Sequence, residues 1–146
     1  MTETYTLTDT ENGTLPSIPV PHDCVIASIS EEDDCLCFRF EEKDLAGHEA
    51  IEKICPGAKA LTMRFHMDAR DRPVFQLLEQ KNRRDDAAYE VKKYKKLFKL
   101  AEPRKKLTYL NHYVACGQII ITMVSDNASI QLCVSTDTVT LEWTEP

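Results

Sequence analysis

Glycine is scarce in this chain of 146 residues, with four, and tryptophan occurs once. So few glycines argue against a phosphate cradle built from backbone amides. The nucleophile elbow G-x-S-x-G, a glycine-rich phosphate loop, the metalloprotease motif H-E-x-x-H and a zinc-binding C-x-x-C pair are all missing. No apolar run approaches the length of a membrane span. The N-terminus, M-T-E-T-Y-T-L-T-D-T, is polar and lacks the apolar core of a secretory signal. The six cysteines, at 24, 35, 37, 55, 116 and 133, follow no disulfide-rich spacing. Several fall where a small apolar strand residue would serve, so free thiols in a reducing compartment are expected. The expectation is a cytoplasmic protein that does not enter a membrane, carries no cofactor or metal, and is not an enzyme.

What is present is ordinary for a globular domain: 42% hydrophobic and 29% charged residues. A chain of this length buries about 68–70% of its unfolded surface and needs no covalent staple. One domain over 1–146 is expected, with 1–17 as a loosely ordered lead-in or, at Thr4 to Leu7, an edge strand. The net charge of −6 conceals an asymmetry: Lys81 to Lys106 carries +7, and the remainder −13. An acidic body with one basic segment either pairs internally or presents a positive strip to a partner. The acidic body argues against nucleic acid.

The clearest structural signal runs from Ile18 to Glu42. Glu31, Glu32, Asp33 and Asp34 read as a four-residue loop between two alternating runs. Setting Ser30 opposite Cys35 places Ile29 against Leu36, Ala27 against Phe38 and Val25 against Phe40. One face is then wholly apolar, as a half-buried antiparallel pair requires.

Further along, Lys43 to Cys55 has the spacing of a short helix, weakened by Gly47 and stopped by Pro56-Gly57. Ala60 to Asp68 alternates strictly and reads as a strand. Asp68 to Pro73 is a charged turn, from which Val74 to Leu78 is expected to return as the partner strand. Gln80 to Asp86 reads as a polar loop, and Asn12-Gly13 as a turn. Ala87 to Ala101 has apolar residues at helical spacing, which favours one amphipathic helix. A strand over Tyr89 to Tyr94 followed by a short helix fits as well. From Leu107 the pattern is a β-meander, with turns at Cys116-Gly117, Ser125 to Asn127 and Thr136-Asp137, and Gln118 to Val124 central. The expected class is mainly β (α+β), with about seven or eight antiparallel strands and one or two helices. A single curved sheet, an open barrel and a small sandwich all satisfy that pattern.

Candidate chemistry is sparse. Cys35 and Cys37 sit in strand alternation and not on the C-x₂₋₄-C turn that zinc sites favour. His22-Asp23 precedes a strand, where hydrogen bonding to the start of that strand accounts for it. His48, His66 and His112 are scattered, and His66 and His112 fall on expected polar faces. The Lys-rich segment lacks interleaved aromatics on its basic side, which single-strand binders use.

The segments P-H-D-C-V-I-A-S-I, L-C-F-R-F and V-T-L-E-W resemble those of small bacterial β-rich proteins, some of which are similar to immunity proteins of polymorphic toxin systems. That resemblance implies a binding role through an acidic surface. It leads to the expectation of a non-catalytic interaction protein with a protein partner, in which Glu31, Glu32, Asp33 and Asp34 steer toward a basic surface. A small-ligand-binding barrel, needing an apolar cavity, and an enzyme with a converging cleft are the alternatives.

Overall fold

A computed structural model describes residues 1–8, 14–79 and 89–146. The expected Asn12-Gly13 turn, the Gln80 to Asp86 loop and the start of the Ala87 segment lie outside the described residues. The fold is mainly β, with eleven strands, three one-turn α-helices and two short 3₁₀ turns among the described residues.

The strands form two antiparallel sheets. The five-stranded sheet orders β1 (Thr2–Thr6), β11 (Thr138–Thr144), β5 (Ala60–His66), β4 (Cys35–Glu41) and β3 (Ser28–Glu32). The six-stranded sheet orders β2 (Cys24–Val25), β8 (Thr108–Ala115), β9 (Gln118–Ser125), β10 (Ala128–Ser135), β6 (Val74–Glu79) and β7 (Glu90–Lys93). The sheets face each other across one core. Tyr109 of β8 packs edge-on against Phe38 and Phe40 of β4, with ring centroids 6.1 and 5.7 Å apart. Such T-shaped pairs add to the large area each ring buries.

The hairpin forms, but with a tighter turn than expected. Glu32 opposes Cys35, Ser30 opposes Cys37 and Ile29 opposes Phe38, so the loop is Asp33-Asp34 alone. Both have positive φ, 49° and 60°. That is the type I′ geometry that matches strand twist, and aspartate tolerates it better than most residues. The register differs from expectation by two residues, and a shift of two keeps every side chain on its face. Ile29, Leu36, Phe38 and Phe40 are accordingly buried.

Val25 and Ala27 depart from expectation for a different reason. Ile26 N–H donates to Leu107 O in one sheet, and Ala27 N–H donates to Arg39 O in the other. The chain changes sheets here, so alternation breaks. Cys24 and Ile26 turn inward while Val25 and Ala27 are only partly covered.

β6 is not the partner of β5. Both edges of β5 are already occupied, by β4 and β11. The charged turn therefore carries the chain across to the other sheet, where β6 pairs with β10 and β7. In the same way, only β8, β9 and β10 form the meander, and β11 returns to the five-stranded sheet.

The single helix expected over Lys43 to Cys55 is two turns, α1 (Glu42–Leu45) and α2 (Glu49–Glu52). Between them Gly47 has φ +77°, a conformation costly to a side-chain-bearing residue. The favoured helix over Ala87 to Ala101 is replaced, across the described residues, by the strand-then-helix alternative. β7 leads into a 3₁₀ turn at Tyr94–Lys96 and α3 (Leu97–Leu100). Tyr94 and Leu97 are buried there, and α3 packs against β3. This segment bridges the free side of the sandwich, where a longer straight helix would carry its apolar stripe past the sheets.

Candidate functional site

Of the four acidic residues at the hairpin, three are engaged within the chain. Glu31 accepts from the Tyr94 hydroxyl, with both carboxylate oxygens at 3.0 Å. Glu32 receives Arg64 Nη1 at 2.9 Å, and Asp34 receives Arg72 Nη2 at 3.1 Å. Burial, and then the bond to Glu31, raise the Tyr94 phenol. The bonds to Glu142 and then Glu32 hold the Arg64 guanidinium firmly protonated, and the bond to Asp34 acts likewise on Arg72. Asp33 is exposed at the tip. The expected binding residues are therefore together in space, with much of their charge answered locally.

The outer face of the five-stranded sheet follows the same pattern. Arg64 also pairs with Glu142 at 2.8 Å, and Arg39 pairs with Glu41 at 3.0 Å. Threonines of β1, β5 and β11, with Thr4 opposite Thr140, share the face with Ser28, Ser30, Cys35 and Cys37. It is a charged face whose ions satisfy one another.

The histidines and thiols do not assemble chemistry. His112 is buried, contrary to its expected polar-face position. A register shift between Tyr109 and Asn111 puts residues 109 and 112 on the same side. The Tyr109 hydroxyl lies 2.6 Å from His112 Nδ1, and His112 Nε2 lies 2.9 Å from Ile18 O. Ile18 O can only accept, so Nε2 carries the proton and Nδ1 accepts from the phenol. Burial lowers the His112 pKa, against the raising effect of the Ile18 bond, and burial pushes the Tyr109 phenol well up. The pair fastens the proline-bearing segment before β2 onto β8.

His22 Nδ1 bonds Leu110 O, and His48 Nε2 bonds His22 O at 2.9 Å. These two rings, with Asp23, Glu49 and Ile54, line an open groove of about 800 Å³. Cys24 Sγ lies 3.2 Å from Asp44 O, and burial, then Asp44 and Asp23, push its pKa to about 11. Burial also raises Cys35 and Cys37, with Arg64 opposing. Protonated thiols are poor nucleophiles and poor ligands. Among the described residues, no group of three or more His, Cys, Asp or Glu could hold a metal ion, and no serine or cysteine is hydrogen-bonded to a histidine.

Two further cavities lie at strand ends. One of about 490 Å³ has Leu77, Leu100, Leu107 and Ile130 in its wall but Glu79, Lys105 and Asp126 around them. The other, about 320 Å³, is polar, with His66, Asp68, Ser135 and Asp137. Leu77, Leu107 and Ile130 of the first belong to the core cluster.

The outer face of the six-stranded sheet is different in kind. Of the five large hydrophobic side chains exposed among the described residues, Val74 (46%), Val91 (67%) and Tyr113 (58%) belong to it, Tyr89 directly precedes β7, and Met1 lies at the other sheet. Pairing aligns Lys93, Val74, Cys133, Ile120 and Tyr113 in one row across five strands, and Val91, Gln76, Gln131, Thr122 and Asn111 in the next. On the outward positions of β6 to β10, Lys93 is the one charged side chain among the described residues. In a chain with 29% charged residues, that depletion is informative. Each strand here looked unremarkable in sequence, because outward residues of separate strands become neighbours only through the pairing.

No family model, curated protein or solved structure matches this chain.

Proposed function

We propose that this chain is a non-catalytic protein-binding module that engages its partner through the outer face of the six-stranded sheet. The observation that carries this reading is the uncharged, partly apolar row of Val74, Cys133, Ile120 and Tyr113, set in an otherwise charged surface. Charge depletion with aromatic enrichment marks the centre of protein interfaces, and solvent-facing apolar patches of this kind are uncommon without a use. The finer reading, neutralisation of a toxin in the cytoplasm, rests on the resemblance of the hairpin and the last strand to immunity proteins. In that reading contact is made by the apolar face, and the charges around it guide the approach of the partner.

The test is affinity capture from an extract of the source organism, with the partner identified and its affinity measured. The double variant Val74→Ser with Tyr113→Ser removes two exposed anchors without adding charge. The control, Thr4→Ala with Thr140→Ala, alters the outer face of the other sheet. Loss of at least tenfold in affinity for the first variant, with the control unchanged, supports the proposal. Equal binding by both, or no specific partner, overturns it.

A further inference from the structure

We infer that the partner contributes an extended, acidic polypeptide segment that adds as a seventh strand to the free edge of β7. This rests on the reading of the six-stranded sheet as a binding face and specifies the chemistry of its occupant.

β7 pairs with β6 on one side and, among the described residues, with no strand on the other. The phase of the ladder follows from one bond. Tyr94 N–H donates to Pro73 O, which makes Lys93 and Val74 a non-hydrogen-bonded pair. Glu90 and Lys92 therefore turn their backbone groups toward β6. Val91 and Lys93 turn theirs outward. An unpaired row of donors and acceptors is a template for another strand.

The side chains in β7 and in the segment that follows it say which strand. Lys93 in β7, Lys95 and Lys96 in the turn after it, and Lys99 in α3 are exposed, as are Lys105 and Lys106 further along, and among the described residues no ion pair holds their ammonium groups. In the same stretch Lys92 pairs with Glu90 and Arg104 with Glu102. The described lysines of the basic segment are thus largely unanswered by the acidic body. Lysines on an edge repel a second copy of the same edge, so self-pairing is disfavoured. An acidic strand is attracted to the same groups. Val91, exposed beside Lys93 on the outer face and adjoining Val74, offers an apolar seat between the charges. Strand addition of this kind draws affinity from main-chain bonds and specificity from alternate side chains.

A single-stranded nucleic acid would also meet the lysines, but the face suits it poorly. Tyr89, next to β7, and Tyr113 of β8 are set apart across the sheet by the β8 to β7 separation, about 19 Å at the usual strand spacing, and so cannot stack successive bases. The aliphatic side chains between them offer no stacking platform.

The experiment selects binders from a random dodecapeptide display library against the full chain and measures affinity for the strongest sequence. Acidic peptides with alternating apolar residues are expected. Val91→Pro removes an outward N–H that the β6 ladder does not use, and should weaken binding at least tenfold. Lys95→Gln, Lys96→Gln and Lys99→Gln together should weaken it at least fivefold and flatten its salt dependence. N-methylation of alternate peptide residues tests the main-chain bonds without altering the protein: one set of positions should abolish binding and the other leave it. Urea midpoints check that each variant remains folded. The inference is overturned if no peptide is enriched, if enriched peptides are basic or neutral, or if both N-methylated sets bind alike. It is also overturned if a thymidine dodecanucleotide binds more tightly and displaces the peptide. If the captured partner is lost from the Val74→Ser, Tyr113→Ser variant yet binds Val91→Pro normally, strand addition fails while the binding-face proposal stands.

Discussion

Tyr109→Phe removes one oxygen atom from the core and leaves the ring contacts with Phe38 and Phe40 in place. The structure makes this a clean perturbation. Tyr109 is fully buried, its hydroxyl donates to His112 Nδ1 at 2.6 Å, and His112 is 6% exposed with Nε2 committed to Ile18 O. Without the phenol, Nδ1 becomes a buried acceptor with no donor. Leaving such a group unmade costs about 1–3 kcal/mol, more than the roughly 0.5–1.5 kcal/mol net worth of an average hydrogen bond. No cavity large enough for water is expected to open, so relief by solvation is limited. A loss of about 1–2 kcal/mol is expected, with an unchanged denaturant slope. Trp143 is the one tryptophan and is buried, so its fluorescence in a urea titration reports the transition directly.

The same pair sets a pH dependence. Burial lowers the His112 pKa in the folded chain below its ordinary 6.5. As pH falls through 6.5, the unfolded chain binds a proton that the folded chain does not, so stability falls with falling pH. Above 6.5 both forms are neutral and the contribution is flat. The slope below 6.5 approaches, and does not exceed, about 1.4 kcal/mol per pH unit, until the folded pKa is reached. His112→Gln keeps an acceptor and a donor and should remove this component. A loss below about 0.3 kcal/mol for Tyr109→Phe, or an unchanged acid slope in His112→Gln, would refute the burial and bonding described for the pair.

Neutralising the hairpin acids by Glu31→Gln, Glu32→Gln, Asp33→Asn and Asp34→Asn should lower the urea midpoint, since the contacts of Glu31 with Tyr94 and of Glu32 with Arg64 are weakened at up to about 1 kcal/mol each. A urea midpoint equal to that of the parent would show that Tyr94, Arg64 and Arg72 are not held by these carboxylates. For the thiols, Cys116 is exposed and Cys133 partly covered, while Cys24, Cys35, Cys37 and Cys55 are buried. Native protein should therefore show one fast-reacting thiol at neutral pH and denatured protein six, and rapid reaction at Cys35 or Cys37 would contradict their placement.

Strand alternation was legible because a half-buried strand needs only its own residues to declare which side is apolar. The runs at Cys35 to Glu41, Ala60 to Asp68 and Gln118 to Ser135 carry that pattern in full, and mainly-β architecture follows. Local chemistry also marked the turns at Cys116-Gly117 and Asp126-Asn127. It did not decide between a four-residue and a two-residue loop at the hairpin. That choice turned on Tyr94, Arg64 and Arg72, which hold Glu31, Glu32 and Asp34 from distant parts of the chain.

Partnership between strands is not a property of either strand alone. Val74 to Leu78 could sit beside any complementary edge, and crossed to the other sheet because β4 and β11 already flank β5. The 87–101 segment has helical spacing in isolation, yet the need to pair β6 and close the side of the sandwich draws Glu90–Lys93 into a strand. His112 looked outward because a bulge one residue long reverses a face, and nothing near Leu110 announces it. The binding face followed the same rule: Val74, Ile120 and Tyr113 are single outward residues on three strands, and only hydrogen-bonded register makes them one surface. Sequence by itself determined which residues prefer extended chain and which side of each strand seeks the core. Tertiary structure decided which edges meet, because pairing energy is shared between segments and is settled only when every edge competes at once.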